Sequence, residues 1–257
     1  MRSWRSSGRD VEVTFDVGYT TAVKLLSSDT CLEAQQFLVN RLKLMSPERR
    51  LQVTAATISA GLKVHNPEMT AMDPFEVTAK VTEFLEQNQV EYFLGGSLAS
   101  TVHGEPRFTQ NVDIVVRLGT TQSERMVSAL GAEFYLSEEA LNDALTRGGS
   151  ANLIHFASNF KIDLILSGES EFERSEFQRK VRISVGDRSF YFCSAEDIIL
   201  AKLDWYKKSG GILEGQLRDI QTVLMVQSPI DASYLRQWAD KLGVRQQLEM
   251  SMIDAGL

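Results

Sequence analysis

Two aspartates sit inside otherwise apolar runs: Asp113 in Asn111-Val112-Asp113-Ile114-Val115-Val116, and Asp163 in Lys161-Ile162-Asp163-Leu164-Ile165-Leu166. Side chains alternate across a strand, so Val112, Ile114 and Val116 face one way while Asn111, Asp113 and Val115 face the other. At ~3.3 Å rise per residue, Asn111 and Asp113 lie roughly 7 Å apart on one face. Asp163 is likewise opposed to Ile162, Leu164 and Leu166. An aspartate so placed is costly to bury unless something pairs with it. Paired side by side, the two strands could present Asp113 and Asp163 to one metal ion.

Gly95-Gly96-Ser97 stands at the end of a short apolar run and at the start of a helix. Glycines let backbone approach a ligand closely, and the free N–H groups of a helix N-terminus attract an anion such as phosphate. The same turn also serves as a plain strand-to-helix connection. Arg107 and Thr109 precede the Asn111 strand, where the guanidinium could meet that phosphate or remain solvated. Lys202 lies four residues from Ile198 and Tyr206 and three from Ile199 and Trp205, in the middle of an apolar helical face. Its amine either snorkels to the surface or reaches a phosphate. His103 is expected to cap the end of its helix, and Trp205, Tyr206 and Trp238 are expected in the core. Lys207-Lys208 reads as the basic last turn of a helix.

These residues need elements to hold them. Residues 29–63 read as helix, with Ser46-Pro47-Glu48 as a helix start, and residues 11–15 alternate like a strand. Two prolines and several small polar residues make 65–74 the best linker. Beyond it helices and strands mix: helix over 75–88, strand over 90–94, a short helix through Val102 stopped by Gly104 and Pro106, and strand over 112–116. Then come helix over 138–146 and strands over 153–156 and 160–166. Strands over 180–185 and 189–193 flank Gly186-Asp187 as a hairpin. From Ser194 the chain reads as helical, with Ser194 as cap. The fold class is α/β or α+β with a helical C-terminus.

Of 257 residues, 43% are hydrophobic and 24% charged, which excludes collagen-like, mucin-like and wholly disordered chains. The net charge of −7 gives no global basic field for coating nucleic acid. Cys31 and Cys193, outside any CxxC spacing, read as reduced thiols rather than a disulfide or zinc site. No apolar stretch approaches the ~20 residues that span a bilayer, and the N-terminus lacks a secretory h-region. A soluble, cytoplasmic protein with no membrane partner is expected.

Taken in order, Gly95-Gly96-Ser97, Arg107-Phe108-Thr109-Gln110-Asn111-Val112-Asp113-Ile114 and Lys161-Ile162-Asp163-Leu164 resemble the nucleotidyltransferase fold of the DNA polymerase β superfamily. The stretch from Gly-Gly-Ser to His-Gly-Glu-Pro-Arg-Phe-Thr looks most like its small prokaryotic branch of AbiEii-type toxins. So do Glu196-Asp197 through Lys202-Leu203 and Gln216-Leu217-Arg218-Asp219-Ile220. The resemblance covers about residues 75–226. It implies a mixed sheet flanked by helices, and Mg²⁺-dependent transfer of a nucleoside monophosphate from an NTP to an acceptor hydroxyl, with Mn²⁺ as a possible substitute. It also implies an acceptor RNA or protein and an antitoxin partner.

By the same resemblance Asp113 and Asp163 are metal ligands, Gly95, Gly96, Ser97 and Arg107 lie near phosphates, and Lys202 serves nucleotide binding or catalysis. Asp219 is then a supporting carboxylate, while as a residue alone it reads as a helix-surface acid paired with Arg218 or a neighbour. Asn111 departs from the family pattern, which has an acid there. An amide oxygen can ligate, but it brings no charge and cannot act as a base. The alternative is a catalytically silent nucleotide-, RNA- or protein-binding module. The expected division is a mainly helical segment over 1–70, a core over 75–195 and a helical section over 196–257.

Overall fold

The computed structural model describes residues 32–65, 73–210 and 214–257. The strand expected over 11–15, Cys31 and most of the 65–74 linker lie outside the described residues. The chain runs α1 (Leu32–Leu44), α2 (Pro47–His65), α3 (Pro74–Gln87), β1 (Tyr92–Leu94), α4 (Gly96–His103), β2 (Asn111–Val116), α5 (Thr120–Leu130), β3 (Phe134–Leu136) and α6 (Glu138–Arg147). It continues through β4 (Gly149–His155), β5 (Lys161–Leu166), α7 (Glu171–Arg179), β6 (Val181–Val185), β7 (Arg188–Phe192), α8 (Ala195–Lys208), α9 (Glu214–Val226), α10 (Ala232–Leu242) and α11 (Arg245–Asp254).

The strands form one seven-stranded mixed sheet in the order β3-β4-β5-β2-β1-β7-β6, flanked by helices. The β2–β5 and β1–β7 pairs are parallel and the others antiparallel. The mixed α/β class is therefore as expected, as is the β6–β7 hairpin. Alternation along β2 and β5 is reproduced too: Val112, Ile114, Val116, Ile162 and Leu164 are fully buried, while Asn111, Asp113, Lys161 and Asp163 are half-buried on the opposite face. The apolar face joins a core that includes Met126 of α5, Leu141 of α6 and Leu94 of β1.

Three elements escape a reading of periodicity. Helix α7 buries only Glu176 and Phe177, and α5 only Ser123, Met126 and Leu130, so neither carries an apolar stripe wide enough to stand out. Strand β3 has just three residues. The C-terminal helical section is divided by caps. Asp231 accepts from Tyr234 N–H at the start of α10, and Gly243, at φ 66°, closes it in the left-handed conformation.

Helix α4 carries the Gly-Gly-Ser turn and packs against α2, α8, α9 and β2. Leu51 and Ile58 of α2 belong to the same core cluster as the sheet. Arg50, itself only 4% exposed, donates to the carbonyls of Val102 in α4 and Leu42 in α1, both at 2.7 Å. One buried guanidinium thus ties the N-terminal helices to the helix that bears the turn. Arg50→Met should cost about 2–3 kcal/mol, the worth of lost charge-assisted hydrogen bonds to carbonyls that stay buried. Urea denaturation would measure it, and a loss below ~0.5 kcal/mol would show that the two contacts are not what holds these helices.

Candidate functional site

The site is built on strand register. Along the parallel β2–β5 pair Asn111 faces Lys161 and Asp113 faces Asp163, so all four side chains share one face in two adjacent rows. Strand β1 lies on the other side of β2 and runs antiparallel to it, with Leu94 opposite Ile114, so its end delivers Gly95 and Gly96 beside Asp113. Gly95 N–H donates to the Asp113 carbonyl at 2.9 Å.

Gly96 is required for two reasons. Its φ is +54°, a conformation that side-chain-bearing residues rarely adopt, and a Cβ there would overlap the Asp113 carboxylate. The next residue, Ser97, gives its backbone N–H to that carboxylate. The helix start and the aspartate are therefore in direct contact.

Burial first, and the neighbouring Asp163 second, push the Asp113 pKa above the usual carboxylate value. Lys202, Lys161 and the Ser97 N–H pull against that rise. Asn111 Nδ2 donates to Asp113 Oδ1 at 3.0 Å and to Asp163 Oδ2 at 2.5 Å. An amide oxygen in that place would repel both acids, so the NH₂ orientation is the one chemistry allows. Lys161 Nζ stands 2.9 Å from Asp163 Oδ1. The two carboxylates converge on a single nitrogen, and that convergence is what a shared cation would need.

A second cluster adjoins the turn. Asp219 of α9 accepts from Arg107 Nε at 2.8 Å and Nη2 at 2.7 Å, and pairs with Lys202 Nζ at 2.8 Å. Burial would raise the Asp219 pKa, but the hydrogen bonds and charges of Arg107 and Lys202 prevail and hold it below the usual value. Lys202 is 5% exposed and also donates to Gln216 Oε1 at 2.8 Å. Its amine does not snorkel to solvent. Arg107 Nη2 also donates to Ser97 Oγ at 2.6 Å, linking Asp219 to the Gly-Gly-Ser turn.

The structure thus brings together Gly95, Gly96, Ser97, Arg107, Asn111, Asp113, Asp163, Lys202 and Asp219. Several single-residue expectations are corrected. Asp219 is paired not with Arg218, which bonds Glu105, but with Arg107 and Lys202. His103 does not cap its own helix: its buried Nε2 meets the Cys193 carbonyl at 2.8 Å, because α4 packs end-on against the β7–α8 junction. Trp205 is 59% exposed rather than in the core, since it lies on the outer side of α8.

Lys161 and Gln216 escape a reading of the sequence. Lys161 sits at a strand start, where lysine is ordinary, and only the register with Asn111 gives it a place. Gln216 lies in the segment that carries the resemblance, but only its place three residues, one helical turn, before Asp219 points to a role.

Among the described residues no group of three or more His, Cys, Asp or Glu could hold a metal. Two carboxylates and one amide could still hold a hard cation that takes its remaining ligands from water and substrate phosphates, as Mg²⁺ does. Asp163 Oδ1 is buried with no aligned hydrogen bond, and the nearby Lys161 balances it by charge alone.

By sequence the chain matches no protein-family profile and no curated protein. Its backbone is similar to that of an antigenic nucleotidyltransferase-like protein from Paracoccidioides brasiliensis, at 16% identity over 70% of this chain and 92% of that one, with a TM-score of 0.46. The antibiotic-resistance factor ANT(2'')-Ia is similar at 13% identity over 70% of this chain and 97% of its own, TM-score 0.46. The lincosamide antibiotic adenylyltransferase LnuA, bound to lincomycin, is similar at 13% identity over 57% of this chain and 94% of its own, TM-score 0.41.

Proposed function

We propose that the chain is a nucleotidyltransferase that moves a nucleoside monophosphate from an NTP to an acceptor hydroxyl. The observation that carries this reading is the in-register Asp113–Asp163 pair directly beneath the Gly95-Gly96-Ser97 turn. It sets a cation site against the start of a helix, which is the juxtaposition a metal–triphosphate needs.

Mg²⁺, or Mn²⁺ in its place, would be held by Asp113 and Asp163, with Asn111 turning its amide oxygen inward as a neutral third ligand. Bound there, the ion would neutralise triphosphate charge and acidify the attacking hydroxyl. The remaining work falls to the protein. Ser97 Oγ accepts from Arg107, which leaves its own proton to give to a phosphate oxygen. Arg107 offers a half-exposed guanidinium to the same anion. Lys202, fixed by Asp219 and Gln216, places positive charge beside Asp113.

The acceptor oxygen bonds to the α-phosphorus, the bond from that phosphorus to the bridging oxygen breaks, and pyrophosphate leaves with the electron pair. The hydroxyl proton passes to a carboxylate oxygen of the Asp113–Asp163 pair.

The acceptor is read as an RNA or a protein, and the setting as a cytoplasmic toxin–antitoxin pair, from the resemblance of the Lys202-Leu203 and Arg218-Asp219 segments to AbiEii-type toxins. One observation favours the silent alternative: position 111 carries an amide that donates to both carboxylates, so the site holds two acids rather than three.

Incubating the protein with labelled NTPs, Mg²⁺ or Mn²⁺ and cellular RNA or protein tests the reading. Label transfer is expected, and Asp113→Asn should lower it by about 100-fold or more. Nucleotide binding that ignores metal, with no transfer from any NTP, would sink it.

The same variant separates chemistry from folding. Folding raises the Asp113 pKa, so at neutral pH its ionisation works against the folded state. Asp113→Asn should therefore melt higher than wild type near pH ~7, and the gap should close as pH falls through the raised pKa, where the wild-type carboxyl is also neutral. A variant that melts lower at neutral pH would show that the ionised carboxylate is a net stabilising group.

A further inference from the structure

The row above the carboxylate pair holds Asn111 and Lys161 as register partners, an amide where a third acid would strengthen cation binding and an ammonium beside it. From the nucleotidyltransferase reading, on which this rests, together with that row, we infer that the site takes a single divalent ion with its nucleotide. Lys161 fills the charge position that a second ion would need.

The argument is one of donors and charge. Two ions ~3.5–4 Å apart need bridging acids and ligands of their own. Here the acids are two, and three of their four oxygens already face nitrogen: Asp113 Oδ1 and Asp163 Oδ2 face Asn111, and Asp163 Oδ1 faces Lys161. The side of Asp113 that faces Gly96 is closed by backbone, since even one added carbon would overlap it.

An ion between the two acids can displace the neutral Asn111 amide by a rotation of that side chain. A second ion on the outer side of Asp163 would instead stand against the Lys161 ammonium, with no further acid to offset the repulsion. Lys161 is 44% exposed along its side chain, so it can turn toward a nucleotide phosphate when the first ion takes over Asp163. This makes Lys161 a binding residue for the triphosphate and the determinant of metal number.

Equilibrium dialysis with radiolabelled Mn²⁺ and each of the four α,β-methylene NTP analogues counts metal and nucleotide in one sample. The wild-type chain should hold one Mn²⁺ per bound nucleotide, and the double variant Asn111→Asp/Lys161→Ala should hold two. Lys161→Ala alone should weaken analogue binding about tenfold, with Lys161→Arg restoring most of it. Circular dichroism checks that each variant is folded.

Two ions in the wild type, or one in the folded double variant, would overturn the inference and leave the transferase reading standing. No uptake of metal with any analogue by the wild type would overturn both.

Discussion

The arrangement turns on holding two carboxylates side by side on one sheet face. Unit charges ~4 Å apart repel by about 4 kcal/mol at an effective dielectric of 20, and a single hydrogen bond to a charged group returns about 1.5–3 kcal/mol. One donor cannot hold such a pair together. The protein supplies three donors, two from the Asn111 amide and one from the Ser97 backbone, and adds the Lys161 ammonium as an ion-pair charge, with Lys202 close behind. The amide at 111 and the glycine at 96 both follow from this constraint, the first as a charge-free donor and the second as the residue that lets a helix start touch Asp113.

The adjoining cluster solves the opposite problem. Lys202 is buried, and a lone buried ammonium is as costly as a lone carboxylate. Asp219 meets it, and the same acid takes Arg107, whose guanidinium reaches back to Ser97. A chain of contacts thus runs from α9 through Arg107 to the turn and on to β2. Asp113, Asp163 and Asp219 are balanced by Arg107, Lys161 and Lys202, so the local formal charge is near zero in a molecule of net −7. An anion is met by groups already paired, and its binding exchanges partners rather than adding uncompensated charge.

Much of this was legible in the sequence because strands announce their faces. Asp113 and Asp163 interrupt apolar alternation, and Lys202 interrupts an apolar helical face, so burial with a partner followed directly from period and polarity. Which partner each takes was not legible, since register and helix packing decide it: Asp219 bonds Arg107, 112 residues away, rather than its neighbour Arg218. Lys161 was invisible for the same reason. Helix α7 is hard to read from periodicity because it buries only a glutamate and a phenylalanine. Trp205 misled because size suggests burial, whereas position on the outer side of α8 decides it.

The register of β2 against β5 has a consequence for folding as well as for the site. Slipping that pairing by one residue would turn Asp113 or Asp163 toward the packed layer that holds Val112, Ile114, Ile162 and Leu164, among side chains with no donor to offer. Misaligned pairings are thereby made expensive while the chain is still searching for its partners. The two acids act as alignment marks, and a descendant that had lost all chemistry would still have reason to keep them.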